Sequence, residues 1–312
     1  MTRTPLAAAL LLALAGCRAA AEAPVDLVPS TGPEARARML VSTEELAAAL
    51  GSADLVVVQT GKERAAYDAG HIPGAHFLPY SALAVKRDGV PAMFPPREEI
   101  LGLFRAMGVR DFDQVVFCDD EIGGFAARGW MAMEVLGRGG QAALLDGQMA
   151  RWKAEGRPLS TDVPVPVPSD LAPLPDPLVI ADMAAVKRVV EEKRKDPALP
   201  VALVDARPPE EFRGEKQAEF VARPGRIPGS ENLPMSAMVV SKENPALLPP
   251  ERLRALFESA GAGAGGEVIA TCRTGRQASL TYFVAKYLGI PVRLYDGSFA
   301  EWQADPANEV AR

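Results

Sequence analysis

The chain has 312 residues, 48% hydrophobic and 24% charged, with 34 basic against 40 acidic side chains and a formal net charge of −6. That length suits two domains, the composition is that of a folded protein, and the acidic balance argues against nucleic-acid binding as the main task. Two histidines and three cysteines are too few for a zinc framework or a disulfide scaffold, and nothing in the sequence points to a metal or an organic cofactor.

One apolar run approaches membrane-spanning length, and it opens the chain. MTRTPLAAALLLALAGC carries Arg3, an apolar stretch from Leu6 to Ala15 and small residues before Cys17. It is too short for a permanent span and reads as a secretory signal. Plain cleavage after a small residue would leave Cys17 incidental. Leu14-Ala15-Gly16-Cys17 also resembles the bacterial lipobox, whose cysteine is lipidated and becomes the new N-terminus. On that reading 1–16 is a lipoprotein signal peptide, 17–38 a polar tether, and the rest a soluble body anchored in the cell envelope.

Beyond the tether the chain repeats itself. HIPGAHFLPYSAL (71–83) returns as RIPGSENLPMSAM (226–238), FPPREEILGLFRAMG (94–108) as LPPERLRALFESAG (248–261), and LLDGQMARW (144–152) as LYDGSFAEW (294–302). The segments keep their order, with offsets of 155, 154 and 150, as a tandem duplication requires. The halves are 39–160 and 178–312. Between them TDVPVPVPSDLAPLPDP (161–177) is proline-rich and is expected to be an extended, semi-rigid connector.

In chain order, LVVV (55–58) is a strand buried on both faces, and Ile100, Leu103, Phe104 and Met107 mark one face of a helix. QVVF (114–117) is again strand-like and precedes a polar, glycine-containing loop and another helix. The second half repeats this with VALV (201–204), then Leu253, Leu256, Phe257 and Ala260, then EVIA (267–270), then Leu280, Phe283, Val284, Tyr287 and Leu288. The expected fold is α/β: two tandem domains, each a mostly parallel sheet flanked by helices, with chemistry in loops at the C-terminal strand ends. The charge run EEKRKD (191–196) ends a helix and faces water, GAGAGG (261–266) is a connection without the Lys-Ser/Thr of a phosphate loop, and Trp152 and Trp302 are packing residues at matching positions. Asp146-Gly147 and Asp296-Gly297 are turn or structural positions, with Ser298 able to approach the second loop.

The loops after the central strands differ. In ATCRTGRQAS, Cys272 is the first residue after the strand; the aligned position in VVFCDDEIGG is Asp119, with Cys118 still on the strand. Gly275 permits a tight turn that points backbone N–H groups and a helix N-terminus at the sulfur, and Arg273 and Arg276 add positive charge. Such surroundings lower a cysteine from about 8.5 to roughly 3.5–7.5, so Cys272 is expected to be largely thiolate and Cys118 inert packing.

DAR (205–207), GRIPGSENLP, CRTGRQAS and YDGSFAEW together resemble the tandem-domain rhodaneses, the thiosulfate and 3-mercaptopyruvate sulfurtransferases. The resemblance covers nearly all of the chain after the signal. It implies that the first copy lacks the catalytic cysteine and that Cys272 of the second takes sulfur from a small anionic donor as a persulfide, then passes it to cyanide or a thiol. Arg273, Thr274, Gly275, Arg276 and Gln277 would form the anion cradle. Arg207 matches a position that contacts the donor in tandem relatives, and it is equally placed to form a structural ion pair with Asp205. The cationic loop favours thiosulfate over 3-mercaptopyruvate; His71 matches a histidine that assists the latter, but Gln59 stands where its aspartate partner would be, and His71 alone reads as a turn residue bonded to backbone. A cysteine phosphatase would need arginine at 278, where this chain has Ala278. The expected protein is a monomeric thiosulfate sulfurtransferase; the rival is an envelope relay module that holds a persulfide for a partner without turning over small acceptors.

Overall fold

The computed structural model describes residues 38–263 and 265–312. The signal sequence, Cys17 and all but the last residue of the tether lie outside the described residues. The first half runs β1 (Leu40–Val41), α1 (Thr43–Ala49), β2 (Leu55–Gly61), α2 (Ala65–Ala69), β3 (His76–Pro79), β4 (Val85–Arg87), β5 (Val90–Met93), α3 (Arg97–Ala106), β6 (Gln114–Cys118), α4 (Gly124–Val135), β7 (Ala142–Leu145) and α5 (Gln148–Ala154). The second runs β8 (Ile180–Ala181), α6 (Met183–Lys195), β9 (Val201–Asp205), α7 (Pro209–Phe212), β10 (Ser230–Asn232), α8 (Pro250–Ser259), β11 (Glu267–Thr271), α9 (Arg276–Tyr287), β12 (Val292–Tyr295) and α10 (Ser298–Ala304).

Each half forms a five-stranded sheet in which every pairing is parallel, ordered β1-β7-β6-β2-β3 and β8-β12-β11-β9-β10. The two orders correspond strand for strand, as the duplication requires. The central strands are apolar because helices cover both faces of each sheet. The ribbon β4–β5 belongs to the first half alone and turns through Asp88 and Gly89, both at positive φ (51° and 85°), the backbone an Asp-Gly hairpin demands.

The two sheets share one hydrophobic core, which runs from Val58, Phe104 and Trp130 of the first half to Val204, Phe257 and Phe283 of the second. Its seam is α4 against α9. Every residue of α4 is buried, since one face meets its own sheet and the other meets the second domain. Trp130 packs edge-on against Phe283 with ring centroids 5.0 Å apart, and Lys286 reaches back to Glu134 at 2.5 Å. Burying an aromatic of this size contributes about 1.5–3 kcal/mol. Trp152 and Trp302 lie in the separate outer cores of their own halves.

Residues 161–177 contain no helix or strand. They are nonetheless fastened to the first domain: Ser169 N–H donates to the Arg105 carbonyl (2.9 Å), Arg105 Nε to the Leu171 carbonyl (3.0 Å) and Arg138 Nε to the Ala172 carbonyl (3.1 Å). Among the described residues no helix is long and apolar enough to cross a membrane.

Candidate active site

β11 lies at the centre of its sheet, and the chain leaves it at Thr271 to start α9 only a few residues later. That short connection brings the sulfur of Cys272 to the head of the helix, where the Gly275 N–H donates to Sγ at 3.1 Å. The positive end of the helix dipole adds to this bond. Gly275 has φ +89°, and a Cβ there would stand 2.7 Å from Arg128 Nη1 and 2.9 Å from Asp296 Oδ1. Glycine is thus required twice, by the backbone and by the space. The loop is clamped from the other side by the head of α10. Cys272 N–H donates to Ser298 Oγ (3.2 Å), while the carbonyls of Cys272 and Arg273 accept from the N–H groups of Phe299 and Ala300 (both 3.0 Å).

The first domain supplies the facing wall. Tyr80 stands against Phe125 edge-on, centroids 5.1 Å apart. Its hydroxyl is pushed above the ordinary phenol value chiefly by burial, with Arg128, Cys272, Arg276 and Thr274 as the polar groups around it. Beneath the loop Arg128 and Asp296 form a buried pair at 2.6 Å across the domain boundary. Arg128 Nε and Nη2 also donate to the Leu83 carbonyl (3.2 and 3.1 Å), its guanidinium lies over the Phe94 ring at 3.4 Å, and the Phe94 N–H donates to Asp296 Oδ2 at 2.7 Å. Asp146, the repeat partner of Asp296, likewise reaches across and accepts the Leu247 N–H at 2.9 Å. The two Asp-Gly segments, expected to be turns, are also interdomain fasteners.

The structure gathers Cys272, Arg273, Thr274, Gly275, Arg276 and Gln277 into one loop at the head of α9, but three expectations need correction. Of the two roles open to Arg207, donor contact or ion pair with Asp205, the structure shows the second. Its Nη2 meets Asp205 Oδ2 at 2.6 Å and the Gly225 carbonyl at 2.9 Å, the guanidinium lies over Phe299, and the side chain is 1% exposed; the structural ion pair accounts for it. The positive charge counted along the loop is also compensated. Arg273 is held by the nearly buried Glu211, with Nε to Oε2 at 3.1 Å, and Arg276 Nη1 meets Glu121 Oε2 at 3.0 Å. Finally, among the described residues one backbone N–H, that of Gly275, is hydrogen-bonded to Sγ.

The first half shows why. Asp119 occupies the matching strand end, and its carboxylate accepts four backbone N–H groups: Glu121 (2.8 Å) and Gly123 (3.1 Å) on Oδ1, Phe125 (2.9 Å) and Ala126 (3.0 Å) on Oδ2. A carboxylate reaches one atom farther from Cβ than a thiol, so Asp119 meets four N–H groups where Cys272 Sγ meets one. Gln148 Oε1 accepts the Asp119 N–H at 2.9 Å, as Ser298 does for Cys272, and both residues sit at positive φ (53° and 54°). Cys118 is buried on β6, where desolvation, then Asp119 and Asp120, push its thiol well up. His71 is bonded to backbone, as expected of it alone: Nδ1 meets the Tyr67 carbonyl (2.8 Å), Nε2 the Asp162 carbonyl (3.1 Å), and the ring stacks on Tyr67 at 3.7 Å. Gln59 is bonded to Asp120.

Sequence reasoning missed Tyr80, Arg128, Glu121 and Glu211. Tyr80 was within reach, because it aligns with Met235 in the repeated LPYSA and LPMSA segments. Met235 itself approaches the first-half loop, since a Cβ on Gly124 would stand 3.0 Å from its Sδ. Each domain therefore covers the other's loop with the same turn. The other three act across distances of 62 to 168 residues, which no local pattern encodes.

A rhodanese-like domain model matches residues 42–155 and again 186–305. The chain is 33% identical over 273 residues to a thiosulfate sulfurtransferase of Azotobacter vinelandii, covering 87% of this chain and 96% of that one. It is 36% identical over 287 residues to a probable 3-mercaptopyruvate sulfurtransferase of Pseudomonas aeruginosa, covering 87% and 97%. Among solved structures, SseA from Escherichia coli superposes with a TM-score of 0.73 at 24% identity, covering 84% of this chain and 98% of that one. Two copies of one domain, the parallel sheets and the relatives at this level of identity agree: the chain belongs to the rhodanese family of sulfurtransferases, in its tandem-domain form.

Proposed function

We propose that this protein is a thiosulfate sulfurtransferase in which Cys272 carries the sulfur. The Cys272 thiolate attacks the outer sulfur of thiosulfate, the S–S bond of the donor breaks, and sulfite leaves with the electron pair. Cyanide or a thiolate then attacks the outer sulfur of the persulfide, giving thiocyanate or a new persulfide and returning the thiolate. The observation that carries this reading is the Gly275 N–H donating to Sγ at the head of α9. The cup around Asp119 supports it further. An aspartate oxygen and the outer sulfur of a persulfide are both two bonds beyond Cβ, so the N–H groups of Gln277 and Ala278, which match Phe125 and Ala126, would receive the outer sulfur.

Thiosulfate is favoured over 3-mercaptopyruvate because sulfite leaves as a stable anion, whereas the enolate of pyruvate must gain a proton. His71 and Gln59 are engaged elsewhere and do not form an acid–base pair beside Cys272. The site is complete within one chain, in keeping with a monomer. Export through residues 1–16 and lipidation of Cys17 belong to the same proposal on the strength of the sequence pattern alone; Cys17→Ser should release the protein from the membrane fraction.

Thiosulfate-to-cyanide transfer by wild type and Cys272→Ser is the test, with intact mass after thiosulfate treatment. One added sulfur atom on wild type and none on the variant, with turnover lost in the variant, is the expected result. Persulfide without turnover would indicate the relay, and a higher kcat/KM with 3-mercaptopyruvate would overturn the donor.

A further inference from the structure

The loop of the first half has lost its thiol but keeps a defined shape. It is one residue longer than its counterpart, running from Asp119 to Gly123 where the other runs from Cys272 to Gly275. Asp119 fixes it by accepting the N–H groups of Glu121 and Gly123. The fixed backbone presents the Glu121 side chain across the domain boundary, where Oε2 meets Arg276 Nη1 at 3.0 Å. Arg276 is further held by stacking on Phe125, 4.3 Å from the ring centroid.

The two arginines of the catalytic loop are not equivalent. Arg273 is tied to Glu211, whose side chain is 4% exposed, so that partner is fixed in place. Glu121 is 55% exposed and Arg276 25%, so this pair stands at the mouth, can open, and is weak in water. An anionic donor that uses Arg276 must take it from Glu121. The carboxylate also repels the donor, more strongly for two negative charges than for one.

We propose that Glu121 is a specificity-determining residue supplied by the non-catalytic half: it competes with the donor for Arg276 and disfavours doubly charged donors. This rests on the reading of Cys272 as the carrier of sulfur from an anionic donor. The competing carboxylate raises KM for thiosulfate and leaves the chemistry at sulfur unaltered.

The test compares wild type, Glu121→Gln and Glu121→Asp, each as the full chain, with thiosulfate and with methanethiosulfonate, a singly charged donor. Glu121→Gln should lower KM for thiosulfate about threefold to fivefold, the range an exposed ion pair spans, with the change in kcat under about twofold on the same scale. KM for methanethiosulfonate should fall less, and Glu121→Asp, which keeps the charge, should stay near wild type. Sulfate binding to Cys272→Ser and to its Glu121→Gln double variant, by calorimetry, reads the same competition without turnover and should tighten by the same factor. An unchanged sulfate affinity, or an equal fall in KM for both donors, overturns the proposal. Absence of thiosulfate turnover in wild type with tighter sulfate binding in the double variant would instead remove the donor reading and leave Glu121's role standing.

Discussion

Residues 119–123 and 272–275 occupy matching strand ends of the two copies and hold the side chain there in different ways. Around Asp119 the cup is full, with four N–H groups on one carboxylate that never leaves. Around Cys272 a shorter side chain rests on the single N–H of Gly275. The supports differ as well. Beneath Gly275 lies the Arg128–Asp296 pair, whereas the neighbours of Gly123 are Gln148 and Leu280. Where the second copy carries a thiol, the first carries a carboxylate that fixes its own loop, and Glu121 of that loop meets Arg276 of the other.

The largest effect should come from moving the thiol. Asp119→Cys in a Cys272→Ser background should leave transfer at least about a thousandfold below wild type, roughly 4 kcal/mol in the barrier, because the longer loop and the apolar neighbour do not rebuild the site. Substantial thiosulfate-to-cyanide turnover by that variant would break the comparison. Next, Arg128→Met should cost about 3–5 kcal/mol by stranding Asp296 in the interior, read as a fall in the denaturant midpoint. A double variant with Asp296→Asn should recover part of the loss.

The paired glycines sharpen the contrast. Both sit at positive φ, but a Cβ on Gly123 would be 3.5 Å from its nearest neighbour, against 2.7 Å for Gly275. Gly123→Ala should cost about 1–2 kcal/mol from the left-handed backbone alone, and thermal melts should show Gly275→Ala to be clearly worse. Asp119→Asn should cost roughly 1.5–3 kcal/mol, since an amide cannot accept on both arms.

That last variant also carries a pH signature. Burial holds the Asp119 carboxyl above its ordinary value near 3.8, against the N–H groups of Ala126, Gly123 and Glu121, which pull it down. The folded chain then keeps a proton that the unfolded chain has released, so this group's contribution to stability falls as pH rises from about 4 toward the raised value. The lead of wild type over Asp119→Asn should shrink across that window; a growing lead would contradict it. The smallest effect belongs to Cys118→Ser, which should alter sulfur transfer by less than about twofold because the thiol is packed in a strand with its proton held on.

Much of this was legible in the chain. The strands at 55–58 and 201–204 and the helices around Phe104 and Phe257 announce themselves by local apolar spacing, and the structure extends them by only a few residues. The ribbon β4–β5 carried an Asp88-Gly89 signal that strand periodicity over so short a run could not confirm. The one-sided apolar face read for α9 was incomplete, because Ala278 through Ala285 are all buried. The second domain's cover on that helix comes from the first, which helix periodicity does not record.

The sequence by itself determined the duplication, the α/β class and the cysteine at the strand end, since all three are written in local composition, order and spacing. The tertiary structure decided how the charges around the site are paired. Whether Arg207, Arg273 and Arg276 face a substrate or a carboxylate depends on Asp205, Glu211 and Glu121, and for the last two the partner arrives from a distant stretch of chain. Electrostatic pairing acts through space, over a few ångströms, and only folding sets those distances.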